Sequence, residues 1–124
     1  MEKKPSEFVL YNKIIIYEKY LRRYVISYIP SIDRDIRIHI LDESYNLLKY
    51  SLQARNNKGN IRNKYLNEMI VTIQLLEYLI SEVIESNKNA KKKCITLISY
   101  LTEIKNIIYA WKSSEEYEKN KSHL

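Results

Sequence analysis

The sequence predicts an all-α fold, an up-down-up-down antiparallel four-helix bundle in a single domain over residues 1-124. Three observations predict it. There is one Gly and there are two Pro in 124 residues, too few breakers for the many turns of a sandwich or barrel. Apolar residues recur at spacings of three and four over long stretches. The polar joints between those stretches are short, which makes consecutive helices antiparallel neighbours.

The first helix is expected over about 6-29, with Ser6 as its N-cap and Pro30 as its stop. Its core stripe is read as Leu10, Ile14, Tyr17, Leu21, Tyr24 and Tyr28. The second is expected over about 31-55, capped by Ser31 or Asp33, with Ile36, Ile40, Leu47 and Ala54 interrupted by Ser44 and Ser51. The stretch NNKGN then makes a joint around the single glycine, Gly59. The third helix, about 61-85, carries Leu66, Met69, Ile73, Leu76, Ile80 and Val83. After SNKN, the fourth, about 90-113, carries Cys94, Leu97, Leu101, Ile104, Ile108 and Trp111, and the tail 114-124 is expected to fray. These alternating spacings form a seam suited to near-antiparallel packing.

The apolar surface is wider than one seam needs. Val9, Ile15, Ile16, Tyr20, Val25 and Ile26 lie outside the first stripe. Ile38, Leu41, Tyr45, Leu48, Tyr50 and Leu52 lie outside the second, and Leu75, Tyr78, Leu79, Ile95 and Ile98 do likewise later in the chain. Such surface either widens the core or faces a partner, so self-association through the first two helices is expected. Twelve Tyr against one Phe suit half-buried and interfacial positions.

The net charge is +6, which favours an anionic partner such as nucleic acid. The cations are clustered. Arg55, Lys58, Arg62 and Lys64 share one acid-free stretch, and Lys88, Lys91, Lys92 and Lys93 share another. Lys19, Arg22 and Arg23 form a third group, Arg34 and Arg37 a fourth. The bundle topology puts the Lys88–Lys93 run near Arg34 and Arg37. Lysines at the start of the fourth helix oppose the helix dipole, and free N–H groups there would favour an anion. Phosphate contacts would give salt-dependent binding with little sequence reading. Tyr65, Tyr109 and Tyr117 are candidates to stack on unpaired bases, or to serve as packing.

Catalysis finds little support. His39 has Asp35 and Glu43 one turn away on either side, the pattern of a surface pair. The single cysteine, Cys94, falls on an apolar seam and cannot form an internal disulfide. There is no P-loop, no HExxH, no CxxC and no ferritin-like ligand spacing, so no metal, no cofactor and no enzyme activity are expected. No stretch is apolar enough to span a membrane, and MEKKPSE lacks the apolar core of a signal peptide, so a soluble cytoplasmic protein is expected.

Three segments carry a family likeness. "EIKNIIYAWKSS" (Glu103 to Ser114) looks like the closing Glu-Ile…Trp…Lys-Ser segment of the Avd family, the accessory variability determinants of diversity-generating retroelements. "RNKYLNEMIVTIQLLEYLI" (Arg62 to Ile80) resembles that family's basic start of helix three followed by Leu-rich heptads. "IPSIDRDIRIHILDESYNLLKYSLQA" resembles its Pro-initiated helix two ending in Ala. The chain is similar also to the four-helix proteins of ribosomal RNA intervening sequences, and Trp111 leans towards Avd. It departs from the pattern at Ile107, Tyr109 and Ala110, where Avd proteins often carry a Gly pair, and in a helix two with fewer arginines.

The resemblance implies a non-catalytic accessory protein without cofactors. Avd proteins form homopentameric barrels, bind the reverse transcriptase and its template RNA, and are needed for error-prone cDNA synthesis and mutagenic homing. Carried onto this chain, Arg22, Arg23, Arg55, Lys58, Arg62, Lys64, Lys91, Lys92 and Lys93 would face RNA or DNA and the polymerase. The extra apolar stripes would be the contact within a homo-oligomer. Two other readings remain: a bundle of the ribosomal intervening-sequence type, and a structural helical module whose charge serves solubility.

Overall fold

The structure, a computed structural model, describes residues 5–29 and 34–122. Helix α1, Pro5–Tyr20, runs on into a π-helical turn, Leu21–Val25, and a 3₁₀ turn, Ile26–Tyr28. Helix α2 spans Arg34–Arg55, α3 spans Gly59–Ser86, and α4 spans Lys91–Ser122 after a 3₁₀ turn at Lys88–Ala90. There is no strand among the described residues. α1 packs on α2 and α4, and α3 packs on the same two, so α1 and α3 lie diagonally across an all-α four-helix bundle. The joint between α2 and α3 makes one pole. The other two joints share the opposite pole, where the Asn87 side chain donates to the Tyr28 carbonyl (3.1 Å).

The stripes expected on α3 and α4 are buried from Leu66 to Val83 and from Cys94 to Trp111. On α2 the polar positions Ser44 and Ser51 are buried within the stripe, beside Ile40, Leu47 and Ala54. Each serine has a partner: Ser44 Oγ is 2.7 Å from the Tyr17 hydroxyl, and Ser51 donates to the Leu48 carbonyl.

α1 departs from expectation beyond Leu21. A regular helix would bury Tyr24 and Tyr28. Instead Val25 is 0% exposed and Ile29 is buried, while Tyr24 is 38% exposed. The π-turn supplies the reason, because it inserts one residue into the repeat and moves everything after it by one position. Val25, expected on an outer stripe, thereby joins the core and keeps a phenol from being buried there. Ile29 ends the helical run in an extended conformation (φ −91°, ψ 111°), as a residue preceding proline should.

Other boundaries shift modestly. α1 begins at Pro5, a residue suited to the first helical turn, so Ser6 lies inside the helix. The expected caps Ser31 and Asp33 and the stop at Pro30 lie outside the described residues. α3 starts at Gly59, whose φ of 61° strains any residue with a side chain. α4 continues past Ser113 to Ser122, where frayed chain is expected. That segment has neither Gly nor Pro, and Glu115 precedes Lys119 by four, a spacing that supports a helix.

Exposed apolar side chains occur on all four helices: Val9 and Ile16, Ile38 and Tyr45, Ile95 and Tyr109 among them. The most exposed are on α3, where Val71 is 61% and Tyr78 60% exposed with Leu75 between them. No helix among the described residues is long and apolar enough to cross a membrane.

Candidate nucleic-acid interface

The displacement of Tyr24 opens a groove on the α1–α4 side of the bundle. Tyr20, Tyr24 and Tyr100 wall it, Ile16 lies beside them, and Lys19 and Arg23 stand at its rim. It is open to solvent, with a volume of about 760 Å³. The Tyr20 and Tyr24 rings are 4.8 Å apart at 49°, and Tyr20 meets Tyr100 edge-on at 5.4 Å. One helical turn towards the far pole, Lys13 and Glu103 pair at 2.8 Å and fasten α1 to α4.

The groove joins two basic clusters that are far apart in the sequence. Lys93 of α4 places its ammonium 4.5 Å from the centre of the Tyr24 ring. Lys91 and Lys92 are exposed on the preceding positions. Among the described residues, neither they nor Arg23 has a carboxylate within ion-pair range. Arg22 is more committed. It lies 3.7 Å from the Glu18 carboxylate, donates to the Tyr45 hydroxyl, and stacks on that ring at 4.9 Å.

Glu18 is itself buried, 7% exposed, and one of its oxygens has no hydrogen-bond partner. Burial raises its pKa above the usual carboxylate range, and the Arg22 charge opposes the rise.

The amides at the start of α4 do not add to this site. The 3₁₀ turn takes them up: Asn89 N–H donates to Asn87 Oδ1, Ala90 N–H to the Asn87 carbonyl, and Lys91 N–H to the Lys88 carbonyl. These three donors are therefore not open to an anion.

At the opposite pole the expected set divides. Lys58 and Lys64 are exposed, and Arg55 is half-buried with its guanidinium 5.9 Å from the Tyr11 ring. Lys64 lies 5.7 Å from the ring of Tyr65, which stacks against Tyr50 at 6.2 Å. Arg62 does not belong with them. It is 6% exposed, its Nε donates to the Ala54 carbonyl at 2.8 Å, and a terminal nitrogen donates to the Arg55 carbonyl. Its guanidinium also stacks on Trp111 at 4.7 Å. It closes the C-terminal end of α2 and is withdrawn from any surface a polyanion could touch.

Arg37 plays the same part at the other pole, donating to the Ile26 and Ile29 carbonyls (3.1 and 3.2 Å) at the end of α1's helical run. Of the expected set, Arg23, Lys91, Lys92 and Lys93 remain at one pole beside the engaged Arg22, and Arg55, Lys58 and Lys64 remain at the other. The 22 residues of α2 set the poles about 33 Å apart.

No family model, curated protein or solved structure matches this chain.

The residues weighed for chemistry have structural settings. Cys94 is buried, and burial pushes its thiol up to about 11, far from a reactive thiolate. His39 pairs with Asp35 at 3.3 Å on the surface of α2. Among the described residues no group of His, Cys, Asp and Glu is placed to hold a metal ion. Of the tyrosines expected to stack on bases, Tyr65 is half-buried against Tyr50, Tyr109 is exposed, and the Tyr117 side chain lies outside the described residues. Helical spacing alone does not single out Tyr20, Tyr24 and Tyr100, because the groove depends on the π-turn. The cue in the sequence is Tyr20, Arg22, Arg23 and Tyr24 in five residues, an interleaving of aromatic and basic groups.

Proposed function

We propose that this chain is a non-catalytic adaptor that binds RNA or DNA through basic surfaces at the ends of its bundle. In the fuller form of this reading it serves a reverse transcriptase in a diversity-generating retroelement as a homo-oligomer, a pentamer in the family it resembles. One observation carries the binding reading: Arg23 stands exposed without a carboxylate partner among the described residues in a groove walled by tyrosine, and Lys91 and Lys92 stand exposed without one at the same pole. Phosphates release counterions from such a surface, which yields affinity with little dependence on sequence. The retroelement part is supported by the likeness of Glu103 to Ser114 and of Arg62 to Ile80 to the Avd pattern. Self-association is supported by the exposed apolar residues, and repetition of a weak basic patch in an oligomer would multiply its charge.

The test is solution mass by light scattering, followed by RNA titration across salt on the same sample. The expected result is a multimer whose affinity falls steeply as salt rises. The double variant Lys91→Glu/Lys92→Glu should lose roughly ten-fold or more in affinity and flatten the salt slope by about two contacts, with an unchanged melting temperature. A monomer indifferent to RNA would overturn the reading. Co-purification with the reverse transcriptase tests the retroelement part separately.

A structural helical module is the second reading. It is favoured by Arg37 and Arg62, whose charges serve helix ends.

A further inference from the structure

We infer that the groove at the π-turn is a base-stacking subsite, which makes this chain select unpaired over paired nucleic acid. The inference rests on the nucleic-acid reading above and gives it a substrate class.

The core does not need the groove. Leu21 and Val25, the two ends of the π-turn, fill the interior, while Tyr20, Tyr24 and Tyr100 all remain outside the fully buried set. Tyr20 and Tyr100 pack against the core and against each other across α1 and α4, and Tyr24 adds a third, exposed ring beside them. π-turns are rare in α-helices, and they recur at functional sites. Here the turn places Tyr24 at the surface and brings its ring within 4.8 Å of Tyr20.

The chemistry of the lining is specific to one form of nucleic acid. In a duplex the faces of the bases are covered by their neighbours, and a protein meets phosphates and base edges. A tyrosine wall offers π faces, on which an unpaired base can stack and a paired base cannot. The groove's volume of about 760 Å³ is within the range of sites that hold small organic ligands. Lys19 and Arg23 at the rim, with Lys93 on Tyr24, supply positive charge where the phosphates beside a stacked base would lie. Charge complementarity and aromatic lining therefore point to the same occupant, a short unpaired stretch of RNA or DNA.

The experiment compares two RNA probes of equal total nucleotide count and hence equal charge, one an unstructured strand and one a perfect duplex, by fluorescence anisotropy at one salt concentration with the whole chain. Stacking contributes about 1–3 kcal/mol per base, so the wild type should prefer the unpaired probe by about ten-fold or more. Tyr24→Leu/Tyr100→Leu should abolish most of that preference while duplex affinity and its salt slope stay the same. Tyr24→Ala alone, at an exposed position, should reduce the preference without disturbing the fold. Lys91→Glu/Lys92→Glu should weaken both probes together and leave their ratio unchanged. Equal affinity of the wild type for the two probes, or a preference that survives the tyrosine variants, would overturn the subsite and leave the basic adaptor standing. Failure to bind either probe would overturn both.

Discussion

The guanidinium of Arg62 sits 4.7 Å from the centre of the Trp111 ring, so an arginine near the start of α3 and the chain's only tryptophan, about two-thirds of the way along α4, share one buried site. The same guanidinium satisfies carbonyls at the end of α2. Three helices therefore meet on one side chain. Arg62→Leu should cost about 3 kcal/mol, from buried carbonyls left without donors and a lost cation–π contact. Arg62→Lys should recover little of this, since an ammonium cannot reproduce the planar fork. Urea unfolding of both variants checks the expectation. A loss below about 1 kcal/mol would mean that water takes over the carbonyls.

Arg37 is more exposed than Arg62, and its two carbonyl acceptors lie at an end where the chain is already extending. Arg37→Ala should therefore cost less, about 1–2 kcal/mol. Amide exchange should quicken at the Ile26–Tyr28 turn and leave the middle of α3 unaffected.

Tyr17 and Ser44 form a closed polar pair inside an apolar layer. Tyr17→Phe or Ser44→Ala alone leaves one buried hydroxyl unpaired and should cost about 1–2 kcal/mol. The double variant should cost no more than either single change, because it removes both hydroxyls. Additive losses in a double-mutant cycle would contradict a direct bond.

Glu18 gives the chain an unusual pH response. Its folded pKa lies above its unfolded value, so the folded state binds the extra proton in the window just above the ordinary carboxylate range. This group's contribution to stability is thus greatest in acid and declines as pH rises through the folded pKa. Glu18→Gln should raise the melting temperature at neutral pH, and the advantage should shrink on acidification. A constant difference between the two proteins across pH would show that Glu18 does not titrate in this window.

Much of the bundle is legible in the sequence because α3 and α4 keep strict three-and-four spacing and bury every residue of it. The serines of α2 are legible as interruptions, and what they interrupt is answered by Tyr17 on the facing stripe. The second half of α1 is not legible in this way. Tyr24 and Val25 both fit an apolar stripe, and only the backbone's choice of a π-turn decides between them. For the basic residues, composition gives the clusters but not their use. Arg62 and Arg37 look like their neighbours until the helix ends are seen to need donors. One local signal separates them: each is the fourth residue of its helix and follows an isoleucine and an Asp or Asn, as Asp35-Ile36-Arg37 and Asn60-Ile61-Arg62.

The π-turn also divides the molecule by the kind of genetic change that each part can register. A helix carries a phase, and one inserted residue advances that phase by about 100°. Loss of a single codon at Arg23 would return Leu21, Val25 and Ile29 to spacings of three and four, the rhythm of an ordinary seam, with no buried side chain replaced. The interior would hardly notice, while the tyrosine-walled surface would lose both its added length and a cation. Substitutions tune the interior by volume; at this surface, chain length itself is the variable on which selection could act.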